Sequence, residues 1–372
     1  MSGPATTARR LLARTGGHPV VTLDFDLDPE EFATAPARAS QTRALIDEAR
    51  RLAEDDDSLD HAARSTLASD ISRIGDYLGS DDLPVSGARG LAIFCSGQDD
   101  VFETVTLSRR TASDVFIDRI PHVEPLVLEG DDELWCAVLV TSRTGDVYRG
   151  NGSQVAARQT ITDYVRGHGQ GGASGEDTQE QDMEGHLGAL AKAIYHDWQQ
   201  EAFTTLALSG PVEAVARLKD LLHNDLRPLL SASHLDVDVS SATESEIRDA
   251  VAGVIDAKRR AAAERALTDL TETTRVTRGV ADTLEALNER RVKTLLLSRD
   301  FSATGGRCPS CGLLVADGGD TCPADGTPME TGIDLREAAV QAALLQDAAV
   351  IAYEEPQEEL PPARPVAALL RF

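Results

Sequence analysis

Basic residues are scarce: 36 lysines and arginines face 62 aspartates and glutamates, a formal net charge of −26. A chain this acidic repels phosphate backbones, so nucleic-acid binding by overall charge is excluded and only a local basic patch could serve. Long apolar runs are also missing. None nears the roughly 20 residues that span a bilayer, and the opening MSGPATTARRLLART lacks the apolar stretch and small-residue cleavage site of a secretory leader. The expectation is a protein with no membrane association, located in the cytoplasm. Cysteine is sparse, five in all, three of them between positions 308 and 322. That argues against a disulfide framework and for a metal site in a reducing compartment. No period of roughly 20 to 50 residues recurs, which excludes a solenoid. What is present is a globular composition, 41% hydrophobic and 26% charged. At roughly 150 residues per domain, 372 residues make two or three domains.

Hydrophobic periodicity outlines an α/β chain. Val20 to Leu27 alternates Val21, Leu23, Phe25 and Leu27 with Thr22, Asp24 and Asp26, the pattern of a half-buried strand. Helical spacing follows over Arg38 to Leu52 and His61 to Leu78, then strands at Leu91 to Cys95, Val101 to Leu107 and Val115 to Ile120. The acidic EGDD at Glu129 to Asp132 ends a first domain, residues 1–131. A second, residues 132–241, opens with the hairpin-like LWCAVLV and its return strand at Val147 to Arg149. The glycine-rich Arg166 to Gly175 follows, then a helix from about Asp182, a strand Phe203 to Leu208, a helix Pro211 to Leu222 and a strand Leu235 to Val239. Strands alternating with helices predict a mostly parallel sheet. The third domain, 242–372, starts with a capping box, Thr243 and Glu246, at the head of a helix running to Leu270. It continues through a helix Gly279 to Asn288 and a strand Val292 to Leu297. After an insert at 305–331 come a helix Asp334 to Leu345 and strands Ala349 to Tyr353 and Val366 to Leu370.

The sharpest chemical motif is Cys308-Pro-Ser-Cys311, followed ten residues later by Cys322-Pro-Ala-Asp325. Two knuckle-like turns, each presenting two ligand-type side chains, can complete a tetrahedron around zinc with Cys308, Cys311, Cys322 and Asp325; the glycines after Cys311 and Asp325 permit the tight backbone. Four protein ligands leave no open position, so such a zinc is structural. The alternative is a redox pair Cys308/Cys311 with an unrelated Cys322. The glycine-rich RGHGQGGASG lacks the lysine of a phosphate loop: no Lys or Arg occurs between Arg166 and Lys192, and Glu176, Asp177, Glu180, Asp182 and Glu184 crowd the downstream side. It reads as an arm that delivers a side chain, or as a surface loop. Asp24, Asp26 and Asp28 suggest a carboxylate metal site, but solvent-facing strand positions explain them better. His186 and His196 have no matching nucleophile, and Cys95 and Cys136 read as buried small hydrophobes. Lys258, Arg259 and Arg260, with Arg290, Arg291 and Lys293, are the densest basic clusters, fit for RNA or for solvated helix faces.

Taken together, VTLDFDLDPEEFATAPARA, RGLAIF, the glycine loop, LEALNERRVKTLLL, the CPSCG and CPADGTPME knuckles and the closing VAALLRF make the chain resemble, over nearly its whole length, the bacterial branch of the archaeo-eukaryotic peptide-chain release factors. The resemblance implies an N-terminal α/β domain and a central ribonuclease-H-like domain whose loop enters the peptidyl-transferase centre. It also implies a C-terminal α/β domain related to a ribosomal protein and carrying the zinc-knuckle insert. In the family a glutamine after paired glycines orients the water that attacks peptidyl-tRNA. Here Gln170 precedes Gly171 and Gly172 rather than following them, although Gly167-His168-Gly169-Gln170 keeps a Gly-x-x-Gln spacing. Gln170, flanked by Gly169, Gly171 and Gly172, is therefore the candidate catalytic residue. The partners implied are the ribosome, through its rRNA and peptidyl-tRNA site, and a translation GTPase such as elongation factor Tu. The implied role is termination or rescue at the A site with peptidyl-tRNA hydrolysis. The alternative is a non-catalytic hibernation factor that occupies the same site.

Overall fold

A computed structural model describes residues 4–15, 17–28, 34–57, 59–80, 83, 88–129, 134–151, 154–162, 175–353 and 365–372. In chain order the elements are α1 (Pro4–Arg14), β1 (Val20–Asp26), α2 (Ala35–Asp55), α3 (His61–Leu78), β2 (Gly90–Ser96), β3 (Val101–Leu107), β4 (Asp114–Asp118) and α4 (Glu124–Glu129). Next come β5 (Leu134–Val140), β6 (Thr144–Asn151), β7 (Gln154–Thr162), α5 (Gly175–Gln200), β8 (Thr205–Ser209), α6 (Val212–Leu221) and α7 (Glu244–Glu272). The chain ends with β9 (Val276–Arg278), α8 (Val280–Asn288), β10 (Val292–Ser298), β11 (Thr304–Arg307), β12 (Leu314–Val315), β13 (Glu330–Asp334), α9 (Leu335–Leu344), β14 (Ala349–Tyr353) and β15 (Val366–Leu370). The architecture is mixed α/β and multi-domain. It divides into two units, one built from Met1–Asp131 with Arg260–Phe372 and the other from Asp132–Arg259. Among the described residues no helix is long and apolar enough to cross a membrane.

In the first unit an antiparallel sheet runs in the order β3-β2-β1-β4. Val21, Leu23 and Phe25 of β1 share a face with Ile93 and Val115 and pack on Leu45, Ile46, Leu67, Ile71 and Ile74 of α2 and α3. Both helices start where a side chain satisfies an orphan amide: Thr34 accepts from the Ala37 N–H, and Asp60 from the Ala63 N–H. The opposite face is covered as well. Ala92, Phe94, Val101 and Leu107 pack with α1, α4, α8 and α9. The alternation in β1 predicts a wet face, yet Asp24, Asp26 and Asp28 are all buried. Arg110 neutralises two of them, 2.7 Å from Asp26 and 3.2 Å from Asp28. The second sheet, β14-β10-β15-β9, sandwiches between α8 and α9 on one side and Ala266, Leu267 and Leu270 of α7 on the other. A small antiparallel sheet, β12-β11-β13, carries the cysteines.

The second unit is a β7-β6-β5-β8 sheet, antiparallel from β5 to β7 and parallel between β5 and β8. Leu187, Leu190 and Ile194 of α5 and Val215 and Leu218 of α6 cover one face, and Ile247, Val251, Val254 and Ile255 of α7 the other. The mostly parallel sheet expected from strand–helix alternation is not what forms. The Thr141–Thr144 turn reverses β5 directly into β6, and a direct reversal can only pair strands antiparallel. The strand expected at Leu235–Val239 is also absent. One backbone bond ties Leu235 to Leu208, and Asp238 then takes the Ser240 N–H into an Asx turn that ends any ladder. The capping box holds: the Thr243 N–H donates to Glu246 at 2.8 Å and the Glu246 N–H to Thr243 Oγ1 at 3.3 Å.

Gly210 joins β8 to α6 at φ +149°, and a Cβ there would lie 2.1 Å from the Val140 carbonyl oxygen. Both tryptophans of the chain, Trp135 and Trp198, belong to this unit, so tryptophan fluorescence excited at the red edge of the band reports its unfolding alone. Gly210→Ala is expected to lower the stability read by tryptophan fluorescence in urea by about 3 kcal/mol. A midpoint equal to wild type would contradict the placement of this turn.

Candidate metal centre

The cysteine insert is built by two turns with the same hydrogen-bond plan. In the first, the Gly312 N–H donates to the Cys308 carbonyl at 2.9 Å and the Cys308 N–H to Leu313; in the second, the Gly326 N–H donates to Cys322 at 2.9 Å and the Cys322 N–H to Thr327. Gly312 and Gly326 sit at φ +76° and +74°, the left-handed conformation that closes each turn and that side chains resist. The turns also aim amides at sulfur: Cys311 N–H lies 3.4 Å from Cys308 Sγ, and Ala324 N–H 3.4 Å from Cys322 Sγ.

The two turns meet face to face. Cys311 Sγ lies 3.6 Å from Cys322 Sγ, and Cys308 Sγ lies 3.7 Å from both carboxylate oxygens of Asp325. One ligand atom from each of the four residues falls within 4.8 Å of every other. Thiolates about 2.3 Å from one ion at tetrahedral angles would sit about 3.8 Å apart, so the cluster has the dimensions of a tetrahedral metal site. All three cysteines are free thiols, and the sulfur separation is far beyond a disulfide bond. Burial raises the Cys308 thiol, but the N–H groups of Cys311 and Ser310 outweigh it and hold the thiol below its ordinary value. Burial pushes Cys322 up to about 11, and the Thr327 N–H, with the Cys322 thiol, holds the Asp325 carboxyl well below the usual carboxylate range. The donor set, three sulfurs and one carboxylate, fits a borderline-soft divalent ion with every coordination position filled by protein.

Two residues that the motif alone does not reveal anchor this insert. Asn288, at the end of α8, donates to the Leu314 carbonyl at 2.8 Å and accepts its N–H at 2.9 Å, pinning β12. Arg307, immediately before Cys308 and largely buried, pairs with Glu330 at 3.0 Å and with Asp118 of β4 at 3.2 Å. The only signal for either in the sequence is its position next to an element end.

The other candidate positions fare differently. Gly169, Gln170, Gly171 and Gly172 lie outside the described residues; the structure bounds their segment by β7, ending at Thr162, and α5, beginning at Gly175. Cys95 and Cys136 are buried in strands, and burial raises both thiols, Cys95 to about 12. His186 is buried and His196 exposed on α5.

Cobalt(II) added to metal-stripped protein is expected to bind with one equivalent and to show thiolate-to-metal absorption. Cys308→Ser and Cys322→Ser should each abolish that band, whereas Asp325→Asn should weaken binding by at least about tenfold while leaving the sulfur band visible. A band unchanged in both serine variants would place the metal elsewhere.

By sequence, no family model and no curated protein matches the chain. Among solved structures, an archaeal translation termination factor, aRF1, is 16% identical and aligns over 99% of this chain and 98% of its own, with a TM-score of 0.26. Archaeal Pelota, from a model of ribosome-bound Pelota and ABCE1, is 14% identical over 76% of this chain and 77% of its own, with a TM-score of 0.40. Dom34 of S. cerevisiae, a translation termination-like factor involved in RNA quality control pathways and interacting with Hbs1, is 12% identical over 76% and 79%, with a TM-score of 0.37. These three solved structures are a translation termination factor, a Pelota protein and a translation termination-like factor, from archaea and yeast.

Proposed function

We propose that the chain is a ribosome-associated, release-factor-like protein that acts at the A site in termination or rescue. The observation that carries this reading is the second unit's plan. Its sheet has the order third-second-first-fourth, with the second strand antiparallel and the fourth parallel to the first, the arrangement of a ribonuclease-H-like core. The glycine-rich segment is bracketed by the third strand and the following helix, inside the domain where the family resemblance expects the loop that enters the peptidyl-transferase centre. Within that segment Gln170 can accept and donate hydrogen bonds to a water without adding charge, and glycines on both sides let the backbone approach RNA. Water held by the amide would attack the ester carbonyl carbon, and the bond to the tRNA 3′ oxygen would break to give a peptide carboxylate and a free hydroxyl.

The metal of the first unit is zinc in this reading. Cys308, Cys311, Cys322 and Asp325 would hold it, and it supplies cross-linking of an insert too small for its own core rather than chemistry. A translation GTPase such as elongation factor Tu is the partner that would deliver the protein. A second reading rests on a specific feature: the sequence that opens α5 carries Glu176, Asp177, Glu180, Asp182 and Glu184. Five carboxylates next to rRNA phosphates cost affinity unless counterions intervene, which favours a non-catalytic occupant of the A site, as in hibernation.

Ribosome pelleting together with release of peptide from ribosome-bound peptidyl-tRNA separates these readings. Co-sedimentation of wild type and Gln170→Ala, with release at least about a hundredfold slower in the variant, is the expected result for a hydrolase. Co-sedimentation with negligible release by both establishes the occupant. No co-sedimentation rejects both.

A further inference from the structure

The geometry points to a second cation site in the first unit: a divalent ion held by His122, Glu124 and Glu337, with the buried carboxylate of Asp24 completing its surroundings. The site sits over the face of β1 that the sequence pattern assigns to solvent. Thr22 Oγ1 on that face accepts the His122 N–H at 3.1 Å, and Phe116, the cross-strand partner of Thr22, stacks on the His122 ring at 3.8 Å and 3°. Asp24 is the next residue along on the same face, paired with Asp114. From the other side α9 contributes Glu337. Its Oε1 accepts the Val123 N–H at 2.7 Å and the Gln341 amide at 2.9 Å, and its Oε2 accepts the Glu124 N–H at 3.0 Å and lies 3.4 Å from His122 Nδ1.

One ligand atom each from His122, Glu124 and Glu337 falls within 4.8 Å of the others. The independent observation is Asp24. It is 3% exposed, its Oδ1 is buried without a hydrogen-bond partner, and the charges that bear on it most are those of Glu337, Asp114 and Glu124. A carboxylate oxygen that is desolvated and unpaired, among further carboxylates, is costly unless positive charge is supplied.

The charge count sets how much is missing. Fully ionised, Asp24, Glu124 and Glu337 would bring three negative charges into a covered site. Arg336 returns one; its Nε lies 2.5 Å from Glu124 Oε1, and its Nη1 is spent on the carbonyls of Ser298, Arg299 and Phe301. With the imidazole neutral, two negative charges remain, the amount one divalent ion cancels. Asp114 and Asp334 stand at the rim and are exposed, so water screens them. The donors are one imidazole nitrogen and carboxylate oxygens, a harder set than the three thiolates of the cysteine insert. Manganese(II) therefore distinguishes the two sites: it suits the nitrogen and oxygen donors and competes poorly for thiolates.

The test uses the full chain and Mn²⁺ followed by electron paramagnetic resonance. Wild type is expected to remove about one equivalent of the free-ion signal with a Kd of about 100 µM or tighter. Glu124→Gln and Glu337→Gln should weaken this at least tenfold, and Cys308→Ser should leave it unchanged. Glu337 also holds backbone amides, so His122→Phe serves where Glu337→Gln unfolds: it keeps the stack on Phe116 and deletes the nitrogen ligand, and it too should weaken binding at least tenfold. No Mn²⁺ uptake by wild type would overturn the proposal in favour of protons neutralising the cluster. Uptake unchanged by Glu124→Gln and His122→Phe, or lost in Cys308→Ser, would overturn it by placing the ion elsewhere.

Discussion

Glu337 is a carboxylate buried on α9, and through it the last third of the chain holds on to the first. It accepts the N–H groups of Val123 and Glu124, more than 200 residues earlier. Gln341, one turn further along α9, donates both to Glu337 and to the Pro121 carbonyl. A unit made from both ends of a chain must close a loop of that length, which costs about 5 kcal/mol beyond a short-loop constant. The apolar core shared by α1, β2, β3, α4, α8, β10 and α9 can meet that cost, but apolar burial has no direction. A buried carboxylate does, because any placement that leaves it unsatisfied is penalised by several kcal/mol. Burial pushes Glu337 up to about 7, a sign of how much that group depends on its donors. Arg307 makes a second join of the same kind, from the cysteine insert to Asp118 of β4.

The parts of this architecture that were legible in the sequence are those that depend on near neighbours. His61–Leu78 forms the helix its periodicity predicts, Thr243 and Glu246 make their capping box, and β3, β5, β14 and β15 form over the residues their patterns mark. The cysteine cluster was legible for the same reason, since each Cys-x-x-ligand turn is local and only the meeting of the two turns is not. Alternation in β1 told which residues share a face, but not what lies over that face. Asp24, Asp26 and Asp28 look like water-facing positions until Glu124 of α4 and Glu337 of α9 come up beside Asp24 and Arg110 pairs with the other two. The Leu235–Val239 segment has strand-like alternation, but its backbone meets β8 only at Leu208 before the Asp238 turn ends the ladder. The cluster of His122, Glu124 and Glu337 had no local signature at all, because its members are brought together by the closure of the chain.

Charge poses the remaining constraint on any RNA-directed role. Most residues of the basic clusters that stand out in sequence are engaged in the folded chain. Lys258 donates to the Thr204 carbonyl and to Thr205 Oγ1, Arg259 pairs with Asp256, Arg290 holds the Leu345 carbonyl and Arg291 pairs with Glu289. Arg149, Arg110, Arg307 and Arg336 are likewise spent on internal carboxylates. Each guanidinium withdrawn to meet a phosphate would leave a carboxylate behind, and for a buried partner such as Asp26 that loss exceeds what one exposed phosphate contact returns. In an RNA-bound state, contacts would have to come from exposed side chains such as Lys293 and from backbone amides rather than from the buried pairs. A protein with a net charge of −26 that meets RNA this way gains little from counterion release. Affinity for RNA would then have to rest on shape and on directed hydrogen bonds rather than on charge.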